Sequence, residues 1–411
     1  MQLRSGNRQL IREINKSLVL SIVRNHAPIS RTDISQMANL SLAAVSDITG
    51  ELISQGLIYE QEAGTSTGGR PPILLALNHR AGYVLGIKLT EKHVVAAMTD
   101  LGAEIVDQQS APLGDDAGRR PETVVQVLAE TVERLRAIHP DRRIFGVGIG
   151  MAGVMDRRNG VCRFSPFFQW RDVPLGRMLE QRLGLPVVLE NDANTLALAE
   201  KWFGAGLGAS DFLVITLGRG IGMGMVLNGQ LYRGGRGGAG EFGHIVMVPD
   251  GPQCDCGKRG CLEALVSDPA ILRRIRTALG RELTMEEAIS LARHGDATAQ
   301  GIFAAAGRTL GMAIADLVNI FNPTLIVIGG EGARAFDLMT GPLQETLKAN
   351  SFDGFFDDLR LVVEPWGDDA WARGAAGLML EEMFRPTLYR DEESRASLVL
   401  PASANPAHTA G

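Results

Sequence analysis

Apolar side chains at Leu10, Ile14, Leu18, Ile22 and Val23 recur at close to 3.6 residues, so 8–25 is predicted to form an amphipathic helix. Ser30 has the chemistry of an N-cap for a short helix over 31–38, and Ser41 that of a cap for a third helix over 42–55. A serine hydroxyl accepts the backbone N–H groups that the first helical turn leaves unpaired. Helix, helix, short turn, helix is the order of a helix-turn-helix, with Ile34, Met37, Leu40, Val45, Ile48 and Leu52 as its expected small core. After Gly56, the apolar runs 57–60 and 73–77 are expected to be strands, joined over 64–72 by a wing that carries Arg70.

From about residue 79 the pattern changes. Short β-rich runs at 83–89, 94–99 and 103–109 precede a long helical pattern from Pro121 to Ile138 and a buried strand at 144–150. A comparable set begins at 212–217, continues to Leu227 and resumes at 325–330. Between these runs lie a helix from Asp268 to Leu279, a Thr284 to Glu287 capping box, and a long helix from about Ala297 to Phe321 stopped by Asn322 and Pro323. Residues 386–411 are polar and small and are expected to form a disordered tail.

At 411 residues the chain has room for two or three domains with a substantial core. No apolar run approaches the eighteen or so residues of a membrane span, and the N-terminus lacks the apolar centre of a secretory signal, so a cytoplasmic protein without membrane insertion is expected. The net charge of -6 speaks against wholesale coating of nucleic acid, yet residues 1–32 carry Arg4, Arg8, Arg12, Lys16, Arg24 and Arg31 against the single acid Glu13. Such a local excess suits a phosphate backbone. On the expected recognition helix Ser41, Ala43, Ala44 and Ser46 are small enough to enter a major groove, with Arg31 and Arg70 as further DNA contacts. A protein-docking role for the same trihelical stretch stays open on pattern alone.

The densest chemistry lies at Gly240-Glu241-Phe242-Gly243-His244 and Cys254-Asp255-Cys256-Gly257-Lys258-Arg259-Gly260-Cys261-Leu262-Glu263. His244 with Cys254, Cys256 and Cys261 supplies the four soft ligands of a closed, structural Zn2+ site, with no position left for a catalytic water. Gly257 and Gly260 allow the tight wrapping. The alternative is a set of buried thiols beside a core histidine.

The run G-E-F-G-H…C-x-C-G-x-x-G-C-L-E resembles the signature of the ROK family of repressors and sugar kinases, and the resemblance covers about residues 7–380. Further, S-R-x-x-I-S…L-S-x-x-x-V-S-x-I…L-x-x-x-G-L-I…G-G-R-P resembles the winged helix of the family's repressors, which its kinases lack. The resemblance implies an N-terminal winged helix-turn-helix over 1–78, then over 79–385 an actin-like, ribonuclease H-like duplicated α/β domain of sugar-kinase type. It implies sugar contacts at Gly153, Asn191, Asp192, Glu241, His244 and Glu263, with Asp192 matching the kinase base; a plain helix N-cap is the other reading of Asp192. The kinase phosphate loop D-x-G-G-T is replaced by Gly86-Ile87-Lys88-Leu89-Thr90-Glu91-Lys92, and the second loop reads Gly218-Arg219-Gly220-Ile221-Gly222 without its threonine. A repressor of carbohydrate metabolism is therefore expected, binding double-stranded operator DNA as a homodimer or dimer of dimers and answering to a sugar or sugar phosphate. An active kinase with a DNA-binding arm, or control by a protein partner, are the alternatives.

Overall fold

The computed structural model describes residues 8–61, 72–114, 120–364 and 366–384; the expected wing with Arg70, and the tail, lie outside them except for Pro72. By compactness the chain divides into Met1–Ile149, Asp156–Leu189 and Ala375–Gly411 as one unit, and Gly150–Met155 with Glu190–Gly374 as the other.

The first unit opens with α1 (Arg8–His26), β1 (Ile29–Ser30), α2 (Arg31–Ala38), α3 (Leu42–Ser54), β2 (Ile58–Gln61) and β3 (Leu74–Leu77). Ser30 caps α2 by accepting from the Asp33 amide, and Ser41 caps α3 by accepting from the Ala44 amide, as their chemistry predicts. The strands pair in the order β1-β3-β2, and β1 is a strand that no periodicity announced. Ile34, Val45, Ile48 and Leu52 fill the core with Val19 and Val23. Met37 departs from expectation: it is 50 % exposed, because the eight-residue α2 turns Ile34 inward and leaves its last turn on the surface. Lys16 lies unexpectedly on the buried side of α1, where its ammonium donates to Glu51 of α3 at 2.6 Å.

The same unit continues with β4 (Tyr83–Leu89), β5 (His93–Asp100), β6 (Ile105–Pro112), α4 (Pro121–Ile138) and β7 (Ile144–Met151). Next come β8 (Val154–Asp156), β9 (Val161–Ser165), β10 (Trp170–Val173), α5 (Leu175–Leu183) and β11 (Val187–Asn191). One sheet runs β11-β7-β4-β5-β6 and a small one β10-β9-β8.

The second unit holds α6 (Asp192–Phe203), β12 (Phe212–Leu217), β13 (Ile221–Leu227), β14 (Gln230–Leu231), α7 (Leu262–Val266), α8 (Asp268–Leu279), α9 (Met285–Arg293) and α10 (Ala297–Phe321). It closes with β15 (Leu325–Gly329), α11 (Thr340–Asn350) and β16 (Arg360–Val363), after which α12 (Asp368–Phe384) leads back into the first unit. Its sheet runs β14-β13-β12-β15-β16. Counted within each five-stranded sheet, both orders read third, second, first, fourth, fifth, which is the internal duplication expected of a ribonuclease H-like fold. Among the described residues α10 is long and apolar enough to cross a membrane by length and composition, but Ile302, Phe303, Leu310, Ile314 and Val318 place it in the hydrophobic core of this unit.

Candidate functional site

Strand β11 ends where α6 begins, and this junction carries Glu190, Asn191 and Asp192. Asn191 is the N-cap: its Oδ1 accepts from the Asn194 amide at 3.3 Å, and its Nδ2 donates to the Gly153 carbonyl at 3.1 Å. Gly153 sits at φ +129°, a backbone angle that favours glycine. Asp192 is therefore not the cap but the first residue of the helix, where the helix dipole favours a carboxylate.

The second segment is folded by its own short bonds. Phe242–His244 forms a 3-10 turn, Val246 bridges to Cys261, and the Cys254 amide donates to the Lys258 carbonyl at 2.9 Å. Gly257 and Gly260 have φ of +91° and +72°, the left-handed conformations that their positions called for. Donor atoms of His244, Cys254, Cys256 and Cys261 all lie within 4.8 Å of one another. The Cys256–Cys261 sulfur separation is 3.7 Å, as is that between Cys254 Sγ and His244 Nδ1. Four donors about 2.0–2.3 Å from a common centre are about 3.5–3.8 Å apart along tetrahedral edges, so these residues fit a tetrahedral metal ion.

With Nδ1 facing the thiols, His244 Nε2 faces Glu241, whose carboxylate is 3.9 Å away. Glu263 Oε2 accepts from the Ile221 amide at 2.9 Å, while its Oε1 lies 4.0 Å from His244 Nδ1. The Glu241 carboxyl is pushed above its ordinary range, by burial first; the His244 charge opposes the shift, and the charges of Asp192 and Glu263 add to it. All six expected sugar residues thus fall within the second unit, joined through the Asn191–Gly153 bond and the mutual influence of Asp192, Glu241, His244 and Glu263. Sequence reasoning quoted Glu190 without a role and missed Arg233. The Glu190 carboxylate is buried and accepts from Arg233 Nε at 2.6 Å.

Both loops that would serve as phosphate cradles are closed by their own side chains. In the β4–β5 turn, Thr90 Oγ1 accepts from the Lys92 and His93 amides at 3.3 and 3.0 Å. In the β12–β13 turn, Thr216 Oγ1 accepts from the Gly222 amide at 3.1 Å, and Glu263 holds the Ile221 amide. Register pairs Leu217 with Ile221, so the glycines of this second loop serve a tight hairpin.

On the helix-turn-helix, Ser41, Ala43 and Ser46 are exposed and Ala44 is half-buried. Arg31 is engaged within the fold: Nε donates to Thr49 at 3.0 Å and Nη2 to Glu60 at 2.7 Å, bracing α2 against α3 and β2. Arg12 likewise pairs with Asp47 and Glu51 of α3.

Residues 84–382 match the ROK family, and residues 7–59 match a winged helix-turn-helix DNA-binding family. The chain belongs to the ROK family. It is 32 % identical over 393 residues to the xylose repressor of Caldicellulosiruptor bescii, covering 92 % of this chain and 98 % of that protein. To the N-acetylglucosamine repressor of Escherichia coli it is 29 % identical over 398 residues, covering 94 % and 97 %. A crystal structure of a ROK family transcriptional regulator, a homologue of the E. coli MLC protein, superposes with a TM-score of 0.82 at 28 % identity, over 92 % of this chain and 98 % of that one.

Proposed function

We propose that this chain is a transcriptional repressor of carbohydrate metabolism that binds double-stranded operator DNA through its winged helix and is controlled by a sugar or sugar phosphate. Gly153, Asn191, Asp192, Glu241, His244 and Glu263 are the effector contacts, and a structural zinc on His244, Cys254, Cys256 and Cys261 holds the last three in place. The observation that carries this reading is the placement of the Glu241 and Glu263 carboxylates on either side of the His244 imidazole beside the thiol cluster, with the Asp192 charge acting on Glu241, on a chain that also has a helix-turn-helix with small exposed residues on α3. Carboxylates that each accept two hydroxyls suit a polyol. The named relatives make D-xylose, N-acetylglucosamine and N-acetylglucosamine 6-phosphate the sugars to try first.

The protein works without phosphorylating its ligand. Amides of both phosphate loops are taken by Thr90, Thr216 and Glu263, and Lys88 stands where the kinases keep the acid that organises magnesium. Glu331 adds a carboxylate beside Gly218, against which a nucleotide phosphate would be repelled. Asp192 is then a vestigial kinase base that serves as a hydroxyl acceptor. Domain limits of 1–78 and 79–385, a cytoplasmic setting and a homodimer or dimer of dimers complete the proposal, since two-fold symmetric operators match paired winged helices.

Selection of duplexes from a random-sequence pool by the full-length protein tests the DNA half. It should return a two-fold symmetric site, and Ala43→Glu, which sets a carboxylate on the exposed start of α3, should abolish retention. No enrichment, or retention by Ala43→Glu equal to wild type, would refute the assignment of α3 as the reading helix.

A further inference from the structure

Apart from Gly153, the effector residues come from two stretches of chain, and the thiol cluster lies on one of them. Cys254, Cys256 and Cys261 approach His244, Glu263 and one another, whereas Asn191 bonds to Glu190, Gly153 and Asn194. A different contact joins the two. Glu190 is 2 % exposed, and its carboxylate is satisfied from both segments: Oε1 accepts from the Asn191 amide and from Asn194 Nδ2, each at 3.0 Å, and Oε2 accepts from Arg233 Nε at 2.6 Å.

Arg233 begins the glycine-rich loop that leads to Glu241, and its carbonyl accepts from the Ala239 amide at 3.2 Å, which closes that loop into a ring. Gly240 follows at φ +94°, so close over the Met223 carbonyl that a Cβ there would stand 2.0 Å from the oxygen. Glu241 is the next residue. The guanidinium therefore fixes the start of the loop to Glu190, the ring fixes its end, and the tight passage at Gly240 leaves Glu241 little freedom.

We infer that Arg233 and Glu190 are positioning residues for the effector, a partly buried ion pair that sets the spacing between Asn191 and Asp192 on one side and Glu241 on the other. The inference rests on the sugar-site reading proposed above. Burying the Glu190 carboxylate costs desolvation, and such a pair is a poor choice for stability alone; what it supplies here is a fixed geometry. A polyol bound between the two segments needs donors and acceptors within a few tenths of an ångström of their places. Neither residue has to touch the sugar for its loss to weaken binding.

Calorimetric titration of full-length, zinc-loaded protein with D-xylose, N-acetylglucosamine and N-acetylglucosamine 6-phosphate tests it, with zinc content and melting temperature measured on every variant. Arg233→Met should weaken binding about ten- to a hundredfold, the range expected when bonds to a charged group are lost, while one zinc per chain is retained. Arg233→Lys keeps the charge and should recover part of the affinity, which a merely space-filling role would not predict. Glu190→Gln should weaken binding too, and the double variant Arg233→Met with Glu190→Gln should lose less than the two single losses combined. If Arg233→Met fails to fold, Arg233→Lys and Glu190→Gln, which are close in volume, carry the same test. Wild-type affinity in Glu190→Gln or Arg233→Met would overturn the inference while leaving the sugar site standing. No heat from wild type with any of the three sugars would overturn the site and the inference together.

Discussion

Glu51 takes charge from both basic residues of α1 that reach it: Lys16 at 2.6 Å and Arg12 at 3.0 Å. Lys16 is 8 % exposed at its side chain, so this is a partly buried pair whose loss leaves an ammonium in an apolar surround. The hydrogen bond from Lys16 is the main cause that holds the Glu51 carboxyl below its ordinary value of 4.5. A carboxyl lowered by folding stabilises the fold fully above its ordinary pKa, and that contribution disappears as pH falls through the folded value. Glu51→Gln should therefore melt at a lower temperature than wild type near pH 7, and the gap should narrow once the pH drops below about 4.5. A gap that stayed constant from pH 7 to pH 3 would show that the ion pair is not its source. The same contact lay beyond the reach of sequence reading. Within the basic excess of residues 1–32, Lys16 and Arg12 pair with Glu51, which is 35 positions beyond Lys16, and no local pattern announces a pairing across helices. Arg31 was legible as a helix-starting arginine, and its bonds to Thr49 and Glu60 were not.

At the scale of elements, the His244 and cysteine cluster is the part on which the proposed site depends. His244 and the three cysteines lie on a loop held by short backbone bonds and two isolated bridges, and a structural zinc contributes folding free energy directly where a small fold lacks a core. Here α7 and the β12–β13 hairpin share that load, since Glu263 at the start of α7 holds the Ile221 amide. Cys256→Ser should lose the metal by elemental analysis, retain the far-UV spectrum of the full chain, and lose sugar binding because Glu241, His244 and Glu263 are no longer fixed. Full metal occupancy in that variant would contradict the ligand set. Helices with an apolar stripe, such as α4 and α10, were readable from sequence almost to the residue, and a capping box marked the start of α9. Helix α12 was not, because Ala370, Trp371, Ala372, Ala375, Ala376, Leu378, Met379 and Leu380 are all buried, and a helix covered on most sides shows no 3.6-residue period. Its close packing is visible instead at Gly148, where a Cβ would stand 1.9 Å from the Ala375 carbonyl oxygen. Strands β1 and β8 escaped for the opposite reason, being too short at two and three residues to show alternation.

On the proposed reading, the whole molecule has to connect a sugar site in the second unit with the helix-turn-helix of the first. The chain itself supplies links: β7, β8, β11 and α12 each begin in one unit and end in the other. Gly153, which accepts from Asn191, directly precedes β8, and Arg157 directly follows it. Arg157 pairs with Glu381 at 3.0 Å and Glu382 at 2.9 Å on the last turn of α12. On the proposed reading, a sugar that shifted Asn191 against Gly153 would act on a strand whose last residue, Asp156, belongs to the first unit. Such coupling can be no larger than the ligand's differential affinity for the two states, typically about 1 to 3 kcal/mol, or about 5- to 150-fold in DNA affinity. The fold-level expectation, a winged helix before a duplicated sugar-kinase-like domain, was legible because the signature residues and the strand runs both survive in this sequence. The Glu190–Arg233 bridge was not, since 43 residues separate its partners. The most direct test is a fluorescence anisotropy titration of the selected operator duplex by the full-length protein, with and without D-xylose, N-acetylglucosamine or its 6-phosphate, for wild type and Asp192→Asn. At least one sugar should change the wild-type DNA affinity by about 5- to 150-fold and leave Asp192→Asn, whose sugar-free DNA affinity is measured alongside, without a response; an equal response in both proteins, or none in wild type, would contradict a sugar-controlled repressor built on this site.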